Sequence, residues 1–71
     1  LVLSNELKRG VFETIENLPE ELKMAITLRE IEGLSYEEIA EVMSCPVGTV
    51  RSRIFRAREA IDAKIQPLMA A

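Results

Sequence analysis

"SYEEIAEVMSCPVGTVRSRIFRAR" occupies residues 35–58, and its reading decides the fold. It opens with a helix start. Ser35 and Glu38 have capping-box spacing, in which each side chain satisfies a backbone donor at the other's end. Ile39, Val42 and Met43 supply an apolar face, and Ala40 is small enough for close helix packing. "SCP" at residues 44–46 interrupts the run, and Pro46 suits the first position of a second helix. There Val47, Val50, Ile54, Ala57, Ile61 and Ile65 recur every three or four residues, the helical period. Pro67 should end that helix, because it lacks an N–H and crowds the preceding turn. Two helices joined by so short a turn, the second rich in arginine, read as a helix-turn-helix spanning roughly residues 35–66.

Upstream of this unit the period remains helical. Leu7, Val11, Ile15 and Leu18 form one stripe with Phe12 beside it, behind a candidate N-cap at Ser4. Pro19 breaks that run and suits the opening of the next helix, "EELKMAITLREIE", which Gly33 should close in a left-handed conformation. Leu22 and Ile26 with Met24, Leu28 and Ile31 cover more than one stripe, so this helix is expected to be central and widely buried. No segment alternates as a strand would. The expectation is an all-α fold, a four-helix domain with a C-terminal helix-turn-helix, filling residues 1–71 as one unit.

With 48% hydrophobic residues a single core needs no disulfide, and one cysteine, Cys45, can form none within the chain. That usage fits a reducing, cytoplasmic setting. No apolar run has the length of a membrane span, and no signal peptide is visible. Leu1 in place of an initiator methionine leads us to expect an excised C-terminal or internal domain.

Charge is unevenly placed on a chain of net charge -3. Residues 1–45 carry four basic residues against ten glutamates, whereas residues 46–71 carry five against two acids. A basic segment on an acidic body suggests a local site for a polyanion, although charge alone fits a solvated helix face equally well. On a wheel advancing about 100° per residue, Val47, Ile54, Ala57 and Ile61 fall within about 60° of Val50. The opposite side holds Gly48, Ser52, Phe55, Arg56 and Glu59, with Thr49 and Arg51 at its edges. Arg51 and Arg56 therefore project outward, as base contacts require. Arg53 and Arg58 lie beside the apolar stripe and suit either phosphates or internal partners such as Glu30 or Glu32. Phe55 on a polar face has no core role; in a major groove it would meet a thymine methyl or a sugar edge, and the alternatives are a contact with a partner protein or a lone exposed apolar residue.

These residues are specific enough to place a family. "GLSYEEIAEVMSCPVGTVRSRIFRARE" at residues 33–59 resembles the region 4 helix-turn-helix of bacterial sigma factors of the extracytoplasmic-function group, in the sigma-E/AlgU subgroup. "LPEELKMAITLREIEG" resembles the part of region 4 that precedes it, and "PVGTVRSR" at residues 46–53 is the most specific string. The resemblance implies recognition of the −35 element of double-stranded promoter DNA, within an RNA polymerase directed to stress-response genes. It implies base-facing roles for Arg51, Ser52, Phe55 and Arg56. Backbone contacts would fall to Arg29, Tyr36, Pro46, Gly48 and Thr49, and the place of Arg53 and Arg58 on the wheel adds those two. The flap of the polymerase β subunit would dock on the first three helices, and the cytoplasmic domain of an anti-sigma factor would mask overlapping surfaces. Phe12, Met24 and Met43 could serve those contacts, although core packing accounts for them more simply. The region that the family uses to melt the −10 element is not among these residues.

An enzyme is the weakest class, since histidine, the commonest general base, is absent and no metal-ligand spacing occurs. Cys45 has no paired base and reads as a turn or capping residue. No cofactor or metal is expected. The competing function is the helix-turn-helix output domain of a response regulator or quorum-sensing activator, and a third class is an interaction domain that never touches DNA.

Overall fold

The computed structural model describes residues 4–69; residues 1–3 and 70–71, the two ends of the expected domain, lie outside the described residues. Four helices follow in order: α1 (Asn5–Glu16), α2 (Glu20–Glu30), α3 (Tyr36–Met43) and α4 (Val47–Met69), with no strand among the described residues. α1 and α3 begin where local chemistry predicts, whereas at α2 Pro19 takes the cap position and not the first helical one. The Leu7 N–H donates to Ser4 Oγ at 3.2 Å, capping α1. At α3 the capping box closes both ways: the Glu38 N–H donates to Ser35 Oγ at 3.0 Å and the Ser35 N–H donates to Glu38 Oε1 at 2.8 Å. The Ser35 N–H, and to a lesser extent the Ser35 hydroxyl, hold the Glu38 carboxyl below its ordinary pKa.

The core is small and aliphatic. Ala25 and Ile26 of α2, Ile39 of α3, and Val50, Ile54 and Ala57 of α4 are buried together, with Ile15, Leu18, Leu22 and Ile61 packed around them. The stripe read on α4 is thus the seam onto which α1, α2 and α3 all pack. One 23-residue helix serves as the spine of the domain and as the second helix of the helix-turn-helix.

The structure corrects four expectations about these elements. α2 is buried on one side only: Met24 is 44% exposed and Ile31, at its C-cap, 63% exposed, because no further helix among the described residues covers that side. Phe12 and Val42 are likewise exposed, so of Phe12, Met24 and Met43 only Met43 packs on the core. α2 ends at Glu30, before Gly33, and unwinds through wide turns in which the Glu32 N–H reaches the Thr27 carbonyl and the Leu34 N–H the Leu28 carbonyl. Gly33 does take the left-handed conformation, with φ 72°. Finally, Pro67 does not end α4, which continues to Met69. A proline so near a helix end removes only one intrahelical bond. Packing on α1 holds the last turn: a Cβ on Gly10 would come within 3.2 Å of Leu68 Cδ1 and 4.0 Å of Ile65 Cγ2. Gly10 is buried inside α1, and its missing side chain leaves room for Leu68 against the helix.

Candidate nucleic-acid interface

The turn between α3 and α4 aims the site. Ser44 adopts φ 53°, the left-handed conformation usually given to glycine. The Ser44 N–H donates to the Glu41 carbonyl at 3.3 Å and the Cys45 N–H to the Ala40 carbonyl at 3.1 Å. That pair of bonds is a Schellman motif, so Cys45 closes the first helix as a turn residue while its side chain packs on the core. Pro46 occupies the cap position, one residue earlier than expected, with its carbonyl accepting from the Thr49 and Val50 N–H groups at 3.0 and 3.2 Å. The N–H groups of the first turn of α4 point out of its positive end, an arrangement that suits a phosphate.

Past the cap, the outward face is as the wheel places it. Arg51, Ser52, Phe55 and Arg56 are exposed, Phe55 by 62%. Thr49 is half-buried at the edge of this face, and Pro46 and Gly48 are exposed before it. A Cβ at residue 48 would meet nothing within 4 Å. Glycine is therefore unnecessary for the fold there, and valine should gain roughly 0.3–0.5 kcal/mol of helix propensity. Gly48→Val is expected to melt at or slightly above the parent temperature while binding DNA more weakly, since its methyls fill the approach to the helix end. Unchanged DNA affinity in that variant would remove Gly48 from the interface.

The four arginines of α4 divide by their partners. Arg53 is half-buried, with Nη1 3.7 Å from Cys45 Sγ and Nη2 3.8 Å from Glu21 Oε2. The Arg58 Nη2 donates to Glu30 Oε1 at 3.0 Å, and this bond, with a weaker contribution from the Tyr36 hydroxyl, raises the pKa of Arg58 further. Pairs whose carboxylate lies in solvent, as Glu21 and Glu30 do, are worth about 0–1 kcal/mol, so neither removes its arginine from reach of a phosphate. Among the described residues Arg51 and Arg56 have no ion-pair partner. Of the four arginines of α4, the two without an internal counter-ion are thus the two that face outward.

Tyr36, the first residue of α3, lies beside them. Its ring has the Arg29 guanidinium carbon 4.8 Å and the Arg51 guanidinium carbon 5.7 Å from its centroid. Arg29 is fixed in turn by donating from Nη1 to the Leu34 carbonyl at 2.8 Å. The structure so gathers Arg29, Tyr36 and Arg51 from three helices onto one edge. Sequence reading missed the contact between Tyr36 and Arg51 and the pairing of Arg53 with Glu21. No local spacing encodes either, since the partners are 15 and 32 residues apart and meet only through the fold.

Fold and site together define a helix-turn-helix domain with a basic, outward-facing second helix. The model of the family "Sigma-70, region 4" matches residues 9–61. The chain is 78% identical over 68 residues to the ECF RNA polymerase sigma-E factor of Haemophilus influenzae, a match covering 96% of this chain and 36% of that protein. Proteins of the same name from Escherichia coli K12 and Salmonella typhimurium LT2 are 75% identical over 69 residues, covering 97% of this chain and 36% of theirs. This chain belongs to the sigma-70 region 4 family. It spans about a third of the length of the relatives it matches, and the kinship sets aside the response-regulator and quorum-sensing alternatives. No helix among the described residues is long and apolar enough to cross a membrane.

Proposed function

We propose that this chain is the part of an extracytoplasmic-function sigma factor that recognises the −35 element of promoter DNA, directing RNA polymerase to stress-response genes. The observation that carries the reading is the outward face of α4, where Arg51 and Arg56, without ion-pair partners among the described residues, flank exposed Ser52 and Phe55. In a helix-turn-helix, base contacts come from the N-terminal turns of the second helix, and these four residues occupy them. Arg51 and Arg56 would read guanine O6 and N7, and Phe55 a thymine methyl or sugar edge. Pro46, Gly48, Thr49, Arg29, Tyr36, Arg53 and Arg58 would hold the flanking phosphates and fix register. The chain acts in this role as a binding module, with no chemistry of its own and no cofactor.

Its protein partners would use other surfaces. The exposed apolar side chains of Phe12, Met24, Ile31 and Val42 on α1–α3 support docking of the polymerase β flap there, and of an anti-sigma domain that masks it.

Salt dependence tests the DNA reading. For two to four neutralised phosphates, affinity for a duplex carrying a sigma-E-type −35 element should fall about ten- to a hundredfold between 50 and 200 mM salt. Affinity indifferent to salt in a fluorescence-anisotropy titration would argue for a domain that binds only protein.

A further inference from the structure

Arg51 and Arg56 face outward alike, yet only one of them has a holder. Arg51 lies over the ring of Tyr36, 5.7 Å from its centroid, whereas among the described residues no aromatic ring approaches Arg56 in this way. The ring itself is well anchored. Tyr36 is half-buried against the core, and the Arg29 guanidinium 4.8 Å from its centroid is tied to the Leu34 carbonyl. A rigid, core-supported ring can therefore bias the rotamers of a long exposed side chain before any ligand arrives.

We infer that Tyr36 is a positioning residue for base reading: its ring pre-orients Arg51, so that Arg51 contributes more to sequence discrimination than an unsupported arginine at the same place. The inference rests on the −35 reading above, and it gives Tyr36 a role distinct from a phosphate contact. An arginine loses side-chain freedom when it is fixed on a base edge. Cation–π contact with the ring removes part of that freedom in the unbound state, and it is strong enough at an exposed site to change binding roughly two- to fivefold. A phosphate contact through the Tyr36 hydroxyl would instead strengthen all sequences equally, because phosphates carry no sequence information.

The test measures a ratio. Binding of Arg51→Ala and Arg56→Ala to single-base variants of the −35 duplex first identifies the base pair each arginine reads. The discrimination ratio, preferred over substituted base, is then measured at both positions for Tyr36→Phe and Tyr36→Leu, with thermal melts to establish folding. Tyr36→Phe should keep the ratio at the Arg51 position even if a lost hydroxyl contact lowers affinity overall. Tyr36→Leu should lower that ratio roughly two- to fivefold, leave the Arg56 position unchanged, and have no effect on the ratio in the Arg51→Ala background. Should the leucine variant fail to melt cooperatively, Tyr36→Met takes its place as a ring-free side chain of similar reach. Equal weakening of every duplex by the ring-free variant, with both ratios intact, overturns the inference while leaving the −35 reading in place. Wild-type protein with no base preference at all overturns both.

Discussion

Ile54→Ala is expected to leave the chain largely unfolded near body temperature. Ile54 is 1% exposed and sits on the α4 seam against which the other three helices pack. Removing its branched end leaves a void where α2, α3 and α4 meet, and such truncations cost about 2–5 kcal/mol. A chain of this length has a total stability of roughly 4–10 kcal/mol. The loss is therefore a large fraction of the whole, and the melting midpoint should fall by about 10–30 °C. Circular dichroism at 222 nm through a thermal ramp measures it. Phe55→Ala, one residue on, removes a larger side chain that is 62% exposed and should change the midpoint by only a degree or two. Similar midpoints for the two variants would mean that the inward and outward faces of α4 are misassigned.

Arg51→Ala and Arg56→Ala should each weaken binding to the preferred −35 duplex by about 1–3 kcal/mol and relax preference at one base pair. Both side chains are exposed, so neither change should unfold the protein. Arg53→Ala and Arg58→Ala should behave differently. Arg53 contacts Glu21 and Cys45, and Arg58 contacts Glu30. Losing either should weaken all duplexes by similar factors, with base preference intact, and destabilise the fold by no more than about 1 kcal/mol. Electrophoretic mobility shifts across a set of single-base variants separate the two classes. Four variants that all lose affinity alike, with preference unchanged, would make the cluster a general phosphate patch.

Much of this was legible in the sequence because it depends on short-range patterns. Four helices, the capping box at Ser35 and Glu38, the tight turn at 44–46 and the seam from Val50 to Ala57 all follow from spacing of three or four residues. What spacing could not give were facts about neighbours. Whether Met24 and Ile31 are covered depends on a further element, which the described residues do not supply, and periodicity reports apolarity, not burial. Pro67 misled for the same reason: its local penalty was read correctly, while the packing of Leu68 against Gly10 that overrides it joins residues far apart in sequence. At Ser44 the left-handed turn was invisible because glycine, its usual marker, is absent. Within the candidate site, the wheel predicted the outward face and, for Arg58, the internal partner Glu30 from sequence, whereas Tyr36 beside Arg51 and Glu21 beside Arg53 come from α3 and α2 and required three dimensions.

Selection from a random duplex library tests most directly whether α4 reads DNA sequence. Wild-type protein and the double variant Arg51→Ala, Arg56→Ala are each used to enrich a randomised duplex over several rounds at fixed salt, and the enriched pools are sequenced. The wild-type chain should converge on one short motif of −35 type, while the double variant, still folded by circular dichroism, should enrich no shared motif. A wild-type pool without a motif, or the same motif from both proteins, would contradict the assignment of Arg51 and Arg56 to base recognition.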